Sequence, residues 1–204
     1  PISFRDFMAD ALYHPQFGYY TSRDPIGRQG DFYTSSDLDP IFGKLLARKF
    51  AQMAASVAVS PEAFTIVELG AGRGLLAREI LQHHRFPYRF VERSASMRAR
   101  QRENLRGLSV EWLEDMPAGL TGCVFCNEFF DALPVHRIVR RNGVLREVYV
   151  TDAFTEIEGN LQESLLDLPL AEGQLADINT EAQRWIQRIA TSLDRGYHLA
   201  IDYG

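Results

Sequence analysis

Two short stretches hold residue types and spacings that could do chemistry. In residues 64–78 an apolar run centred on Thr65, Ile66 and Val67 reaches Glu68 and then breaks into Gly70, Gly72 and Gly74, after which Leu75, Leu76, Ile80 and Leu81 recur at helical spacing. Strand, glycine turn and helix make a corner that a ligand can approach closely, because glycine carries no Cβ to obstruct it. The second stretch, Asn127-Glu128-Phe129-Phe130-Asp131-Ala132-Leu133-Pro134, puts an amide, two carboxylates and two aromatic rings after an apolar strand. A buried charge needs a partner. Glu128 and Asp131 are therefore candidates for holding a guanidinium or ammonium group, with Phe129 or Phe130 walling off water. An unliganded tight turn at the first stretch and a capped turn with one exposed carboxylate at the second are the plainer alternatives.

The glycine spacing separates two classes of ligand. A dinucleotide fingerprint needs G-x-G-x-x-G, and here Leu75 stands where its third glycine belongs. An acidic strand end followed by G-x-G-x-G instead resembles the first motif of class I S-adenosylmethionine-dependent methyltransferases. Glu92 ends the next apolar run 20 positions after Gly72, where doubly wound folds place a carboxylate that accepts hydrogen bonds from ribose hydroxyls. That distance is shared by nicotinamide and methionine cofactors. Glu114-Asp115-Met116 follows a further run. In the same general fold such a pair meets the adenine amino group and covers the ring, which makes Asp115 and Met116 candidates, with a plain turn before Pro117 as the alternative.

Around these stretches the chain alternates strand and helix. Helices are expected after Ser3 as N-cap, from Asp39 with Ile41, Phe42, Leu45, Leu46, Phe50 and Met53 as its apolar face, from Arg93 to Leu105 with Ser94 as N-cap, and from about Asn179 or Thr180 to Leu193, ended by Gly196. The last of these is expected to turn Trp185, Ile186, Ile189 and Leu193 inward. Strands are expected over 88–92, 108–113, 122–127 and 197–203, and this alternation predicts a parallel sheet with helices on both faces. Asn142-Gly143 between β-patterned runs signals a hairpin. Residues 152–175 read as a mixed, acidic connection. The expected division is a helical and loop segment over 1–60 and an α/β, Rossmann-like, doubly wound domain over 61–204.

Composition sets bounds on function. The 204 residues carry a net charge of −5 with 46% apolar content, a soluble globular profile that gives no reason to expect nucleic acid as partner. No run approaches the roughly 18 apolar residues of a membrane span. Cys123 and Cys126 lie three apart on a strand, facing opposite sides, so buried structural thiols are expected. The five histidines lack a metal-ligand spacing, and no metal is expected.

Read together, Phe7-Met8, Leu12-Tyr13-His14-Pro15, Gly18-Tyr19-Tyr20, Gly30-Asp31-Phe32 with Thr34-Ser35, Phe42-Gly43, the Glu68 to Gly74 turn, Val91-Glu92-Arg93-Ser94, the Asn127 to Val135 stretch and Ile201-Asp202-Tyr203-Gly204 resemble the MidA family in matching order. The resemblance implies a class I methyltransferase fold, S-adenosyl-L-methionine as cofactor and, as in the mitochondrial members that act as complex I assembly factors, methylation of protein arginine. It implies that a loop holding Gly30, Asp31, Thr34 and Ser35 folds over the cofactor site, for which the other expected contacts are Glu68, Gly70, Gly72, Gly74, Glu92, Asp115, Met116 and Asn127. For that chemistry Glu128 and Asp131 are the candidates to orient the guanidinium and accept its proton. Where the family often has Thr-Ser-Pro-Glu this chain has Thr34-Ser35-Ser36-Asp37, which leaves Asp37 outside the expected set. The partner expected is a protein substrate, such as a respiratory-chain subunit, in the cytoplasm or, for a eukaryotic source, the mitochondrial matrix. A class I fold closes its sheet with an antiparallel pair for which no sequence follows Gly204, so a fragment is expected. A methyltransferase for another acceptor, and a non-catalytic assembly protein that keeps the fold, stay open as alternatives.

Overall fold

The computed structural model of the protein describes residues 1–22, 40–161 and 168–202. In chain order its elements are β1 (Ile2–Ser3), α1 (Phe4–Tyr13), α2 (Tyr19–Ser22), α3 (Ile41–Ser56), β2 (Thr65–Leu69), α4 (Leu75–Leu81), β3 (Tyr88–Val91), α5 (Ala95–Asn104), β4 (Val110–Leu113), β5 (Leu120–Asn127), β6 (His136–Arg141), β7 (Val144–Val150), β8 (Glu156–Gly159), β9 (Leu175–Ile178), α6 (Thr180–Ser192) and β10 (Leu193–Ile201). The described residues fall into two compact units, one within Pro1–Asp24 and Ala132–Trp185, the other within Pro25–Asp131 and Ile186–Gly204. This differs from the boundary expected at residue 60. The reason is α3, whose Leu46, Ala47, Phe50, Met53 and Ala54 pack into the same core as β2, β3 and β5.

The larger unit is built on a sheet of order β10-β5-β2-β3-β4 in which every neighbouring pair is parallel. One face carries Ile66, Tyr88, Phe90, Cys123 and Phe125 into a cluster with α3 and with Leu76, Ala77 and Ile80 of α4. On the other face Val67, Leu69, Val124 and Cys126 are also fully buried. Burial on both sides is why β2 and β5 read as near-continuous apolar runs rather than alternating ones. Both cysteines are free and buried, as expected. Burial pushes each thiol up to about 12.

Details of two helices depart from expectation. The buried stripe of α3 is Gly43, Leu46, Ala47, Phe50, Met53 and Ala54, whereas Ile41 and Leu45 are about half exposed, at 51% and 55%. Small residues share the inward face with the large ones, and where α4 comes closest only glycine fits: a Cβ on Gly43 would lie 2.4 Å from the Cβ of Glu79 in α4. In α6, Ile189 is buried but Ile186 is 46% exposed. Helix α6 gives way directly to β10, and Gly196 lies inside that strand opposite Gly122 rather than ending the helix.

The smaller unit is an antiparallel sheet of order β1-β7-β6-β9 with β8 also on β7. Asn142 and Gly143 form the expected hairpin turn, both with positive φ. The connection over 152–175 holds a strand the sequence did not announce, β8, and β9 begins at its end. Glu-Ile-Glu-Gly is too short and too charged to stand out, and it is ladder pairing to β7 that orders it. Helix α1 starts as expected, with the Ser3 hydroxyl accepting the Asp6 N–H at 3.1 Å. His136 and Glu147, on neighbouring strands, make a buried 2.8 Å contact inside this unit.

Candidate functional site

Because the strands of the larger sheet are parallel, β2, β3, β4, β5 and β10 deliver their carboxyl ends to one edge. The chain runs outward from β2 through β3 and β4, then returns to the other side of β2 with β5. Ligands in open α/β sheets bind at such a reversal. Leu69 and Cys126 are register partners, so the glycine turn that follows β2 and the carboxylate stretch that follows β5 leave the sheet side by side.

All three glycines of the turn have positive φ, +65° at Gly70, +50° at Gly72 and +76° at Gly74, a region that L side chains rarely occupy. Two of them are also needed for packing. A Cβ on Gly70 would fall 2.8 Å from Cδ2 of Phe129, and one on Gly74 would fall 3.1 Å from Cδ1 of Leu105. The turn is held from α5. Gln101 Nε2 donates to the Gly72 carbonyl at 2.8 Å and Asn104 Nδ2 to the Arg73 carbonyl at 3.0 Å. Gln101 is fully buried, and its Oε1 accepts the Trp112 indole N–H at 2.8 Å. Sequence reasoning passed over Gln101 and Asn104 in an arginine-rich polar helix. The available signal was spacing: Gln101 shares the i, i+4 row of Met97 and Leu105.

Glu68 is 3% exposed, and its Oε2 accepts the Tyr88 hydroxyl at 2.7 Å. Burial is the main cause that pushes its carboxyl up to about 7, against the Tyr88 bond, which lowers it. Its side chain lies on the Phe90 and Phe125 side of the sheet.

The other strand ends carry the remaining candidates. Glu92 follows β3 directly: its N–H donates to the Leu113 carbonyl at 3.0 Å, and its Oε1 accepts the Ser94 N–H at 2.8 Å. Asp115 follows β4. Its Oδ1 accepts the Met116 N–H at 2.7 Å and also meets Arg188 of α6, and these contacts, the backbone bond first, hold its carboxyl below the ordinary range. Arg188 was not foreseen as its partner.

After β5, Glu128 takes a φ of +51°, uncommon for a residue with a side chain. Its N–H donates to the Ile201 carbonyl at 2.8 Å. Phe129 lies against the glycine turn, Phe130 meets His198 of β10 edge to face at 5.9 Å, and the two rings are 5.4 Å apart. Asn127 ends β5 as the register partner of Ile201. Gly30, Asp31, Thr34 and Ser35 lie outside the described residues, as does Asp37. Among the described residues no helix is long and apolar enough to cross a membrane.

Residues 45–204 match the family described as "Putative S-adenosyl-L-methionine-dependent methyltransferase". The chain is 30% identical to the mitochondrial protein arginine methyltransferase NDUFAF7 homolog of Drosophila melanogaster, an alignment over 100% of this chain and 57% of that protein. It is 31% identical to the mitochondrial protein arginine methyltransferase NDUFAF7 of Danio rerio, over 100% and 58%. A crystal structure from Burkholderia thailandensis, bound to S-adenosyl-homocysteine, superposes with a TM-score of 0.84 at 29% identity, over 100% of this chain and 58% of that one. The chain thus spans a little over half the length of these relatives. The family match takes in every strand of the parallel sheet, and the chain belongs to this family of S-adenosyl-L-methionine-dependent methyltransferases.

Proposed function

We propose that this chain is the cofactor-binding part of a protein arginine N-methyltransferase, with S-adenosyl-L-methionine at the glycine turn and the acceptor guanidinium at Glu128 and Asp131. The observation that carries the reading is the adjacency of the two turns at the strand-order reversal, where β2 and β5 end side by side. The donor set fits a nucleoside: a turn of positive-φ glycines that admits close approach, and carboxylates of Glu92 and Asp115 at the next two strand ends, with Met116 beside the second. Gly30, Asp31, Thr34 and Ser35 belong to the same reading as a covering loop, and Asn127 as a contact at the end of β5.

When bound, S-adenosyl-L-methionine supplies a methyl group already activated by its sulfonium. The work left to the protein is positioning and proton handling. An arginine side chain is protonated in water at any ordinary pH, so the site has to orient one nitrogen and take its proton as that nitrogen gains the methyl carbon. Glu128 and Asp131 have the charge to do both. The relatives named as mitochondrial protein arginine methyltransferases support a protein acceptor; a respiratory-chain subunit is the acceptor that the MidA resemblance implies. The compartment that goes with it is the mitochondrial matrix in a eukaryote and the cytoplasm otherwise.

Glu128→Gln and Asp131→Asn are expected to lower methyl transfer to protein arginine by about 10²-fold or more while leaving S-adenosylhomocysteine binding in place. Methylation at the parent rate by both variants refutes the assignment. Gly72→Val is expected to abolish the calorimetric heat of S-adenosylhomocysteine binding, and unchanged heat would place the cofactor elsewhere.

A further inference from the structure

Residue 128 sits in a strained backbone conformation at the point where the chain leaves β5 for the acceptor carboxylates, and such a conformation persists only where its surroundings over-determine it. The surroundings come from the end of β10. The Ile201 carbonyl accepts the N–H of Glu128 at 2.8 Å. Next to it, Oδ2 of Asp202 accepts the N–H of Phe130 at 2.9 Å and that of Asp131 at 3.3 Å. Two backbone donors thus converge on one carboxylate oxygen some 70 residues away in sequence, and hydrogen bonds to an ionised acceptor are about twice as strong as neutral ones. His198 of β10 meets the Phe130 ring edge to face and has its Nε2 3.8 Å from Sγ of Cys126.

We propose that Asp202 is the positioning residue of the acceptor site: it clamps the turn over residues 128–131, holds Glu128 in its left-handed conformation, and so fixes where the Glu128 and Asp131 carboxylates stand. Two hydrogen bonds tie it to the acceptor turn. The proposal rests on the reading that Glu128 and Asp131 receive the acceptor. It adds that their placement is set by the residue just after β10, the strand that follows the antiparallel unit in the chain.

The experiment compares the parent chain with Asp202→Asn, which keeps an acceptor oxygen, and Asp202→Ala, which keeps none; Asp202→Ser substitutes if the alanine variant does not fold. Amide hydrogen exchange at Phe130 and Asp131 is read by NMR, S-adenosylhomocysteine binding by calorimetry, and binding of acetyl-arginine amide by titration. The expected result is exchange at both amides accelerated by about 10²-fold or more in Asp202→Ala and largely rescued in Asp202→Asn. Acetyl-arginine amide affinity falls about tenfold or more with the clamp, and S-adenosylhomocysteine affinity stays within about threefold throughout. Unchanged exchange in Asp202→Ala overturns the clamp, and so does equal loss of S-adenosylhomocysteine binding, which would put Asp202 in the cofactor site. The failure of the underlying reading looks different: the parent chain itself would ignore acetyl-arginine amide while the exchange data still responded to Asp202.

Discussion

Phe129 lies so close to Gly70 that a Cβ at position 70 would stand 2.8 Å from its Cδ2. The glycine turn and the carboxylate stretch, each singled out from its own part of the sequence, are therefore packed against each other. Gly70→Ala is expected to destabilise the chain by about 1–2 kcal/mol through its left-handed backbone alone, with the contact adding to that. In a Phe129→Ala background the same substitution should cost less, and denaturant midpoints for the four proteins measure the coupling. Equal cost in both backgrounds would mean that the ring does not press on the turn.

Gln101 is the second prediction. Its replacement by Leu removes the donor to the Gly72 carbonyl and the acceptor for the Trp112 N–H, leaving two polar groups to be satisfied elsewhere at a cost of about 1–3 kcal/mol each. Urea titration should register a loss in that range, and the Trp112 emission should change with it. A variant as stable as its parent would show that α5 does not hold the glycine turn.

Glu68 makes stability depend on pH in an unusual direction. Its folded pKa, about 7, stands above the ordinary 4.5, so the native state keeps a proton that the unfolded chain releases between those values. The contribution is complete below about 4.5 and lost as pH rises to 7. At 1.36 kcal/mol per unit the loss is roughly 3 kcal/mol. Glu68→Gln lacks this proton and should gain on the parent by about that amount between pH 4.5 and pH 8. Parallel stability curves for the two proteins would contradict it.

Cys123 and Cys126 should resist alkylation in the folded chain, since burial raises both thiols to about 12 and the thiolate is the reactive form. Iodoacetamide at pH 8 is expected to label neither until denaturant is added, as counted by mass spectrometry. Rapid labelling of Cys126 in the native state would mean that the β5 to β10 seam opens.

The parallel core was legible because its signals are local. Thr65-Ile66-Val67 followed by alternating glycines is a strand and a turn whatever surrounds it, and Asn142-Gly143 closes a hairpin from two residues alone. The expected inward face of α3 held at Leu46, Phe50 and Met53 but left out Gly43, Ala47 and Ala54, because apolar size alone does not show that α4 approaches too closely for anything larger than Gly43. Strand β8 was missed because its order comes from β7, a non-local partner with no trace in Glu156-Ile157-Glu158-Gly159.

The sequence by itself determined the strand and helix types of the core, the positive-φ turn after Glu68 and the residues with acid, amide and aromatic chemistry. Those follow from Cβ sterics and from apolar periodicity within a few residues. Tertiary structure alone decided that Glu68 points at Tyr88, that Asp115 meets Arg188, and that the N–H groups of Phe130 and Asp131 end on Asp202. Each of these joins residues that sheet register or helix packing brings together across 20 to 73 positions of chain, and hydrogen bonds at that range leave no periodic mark in the residues that make them.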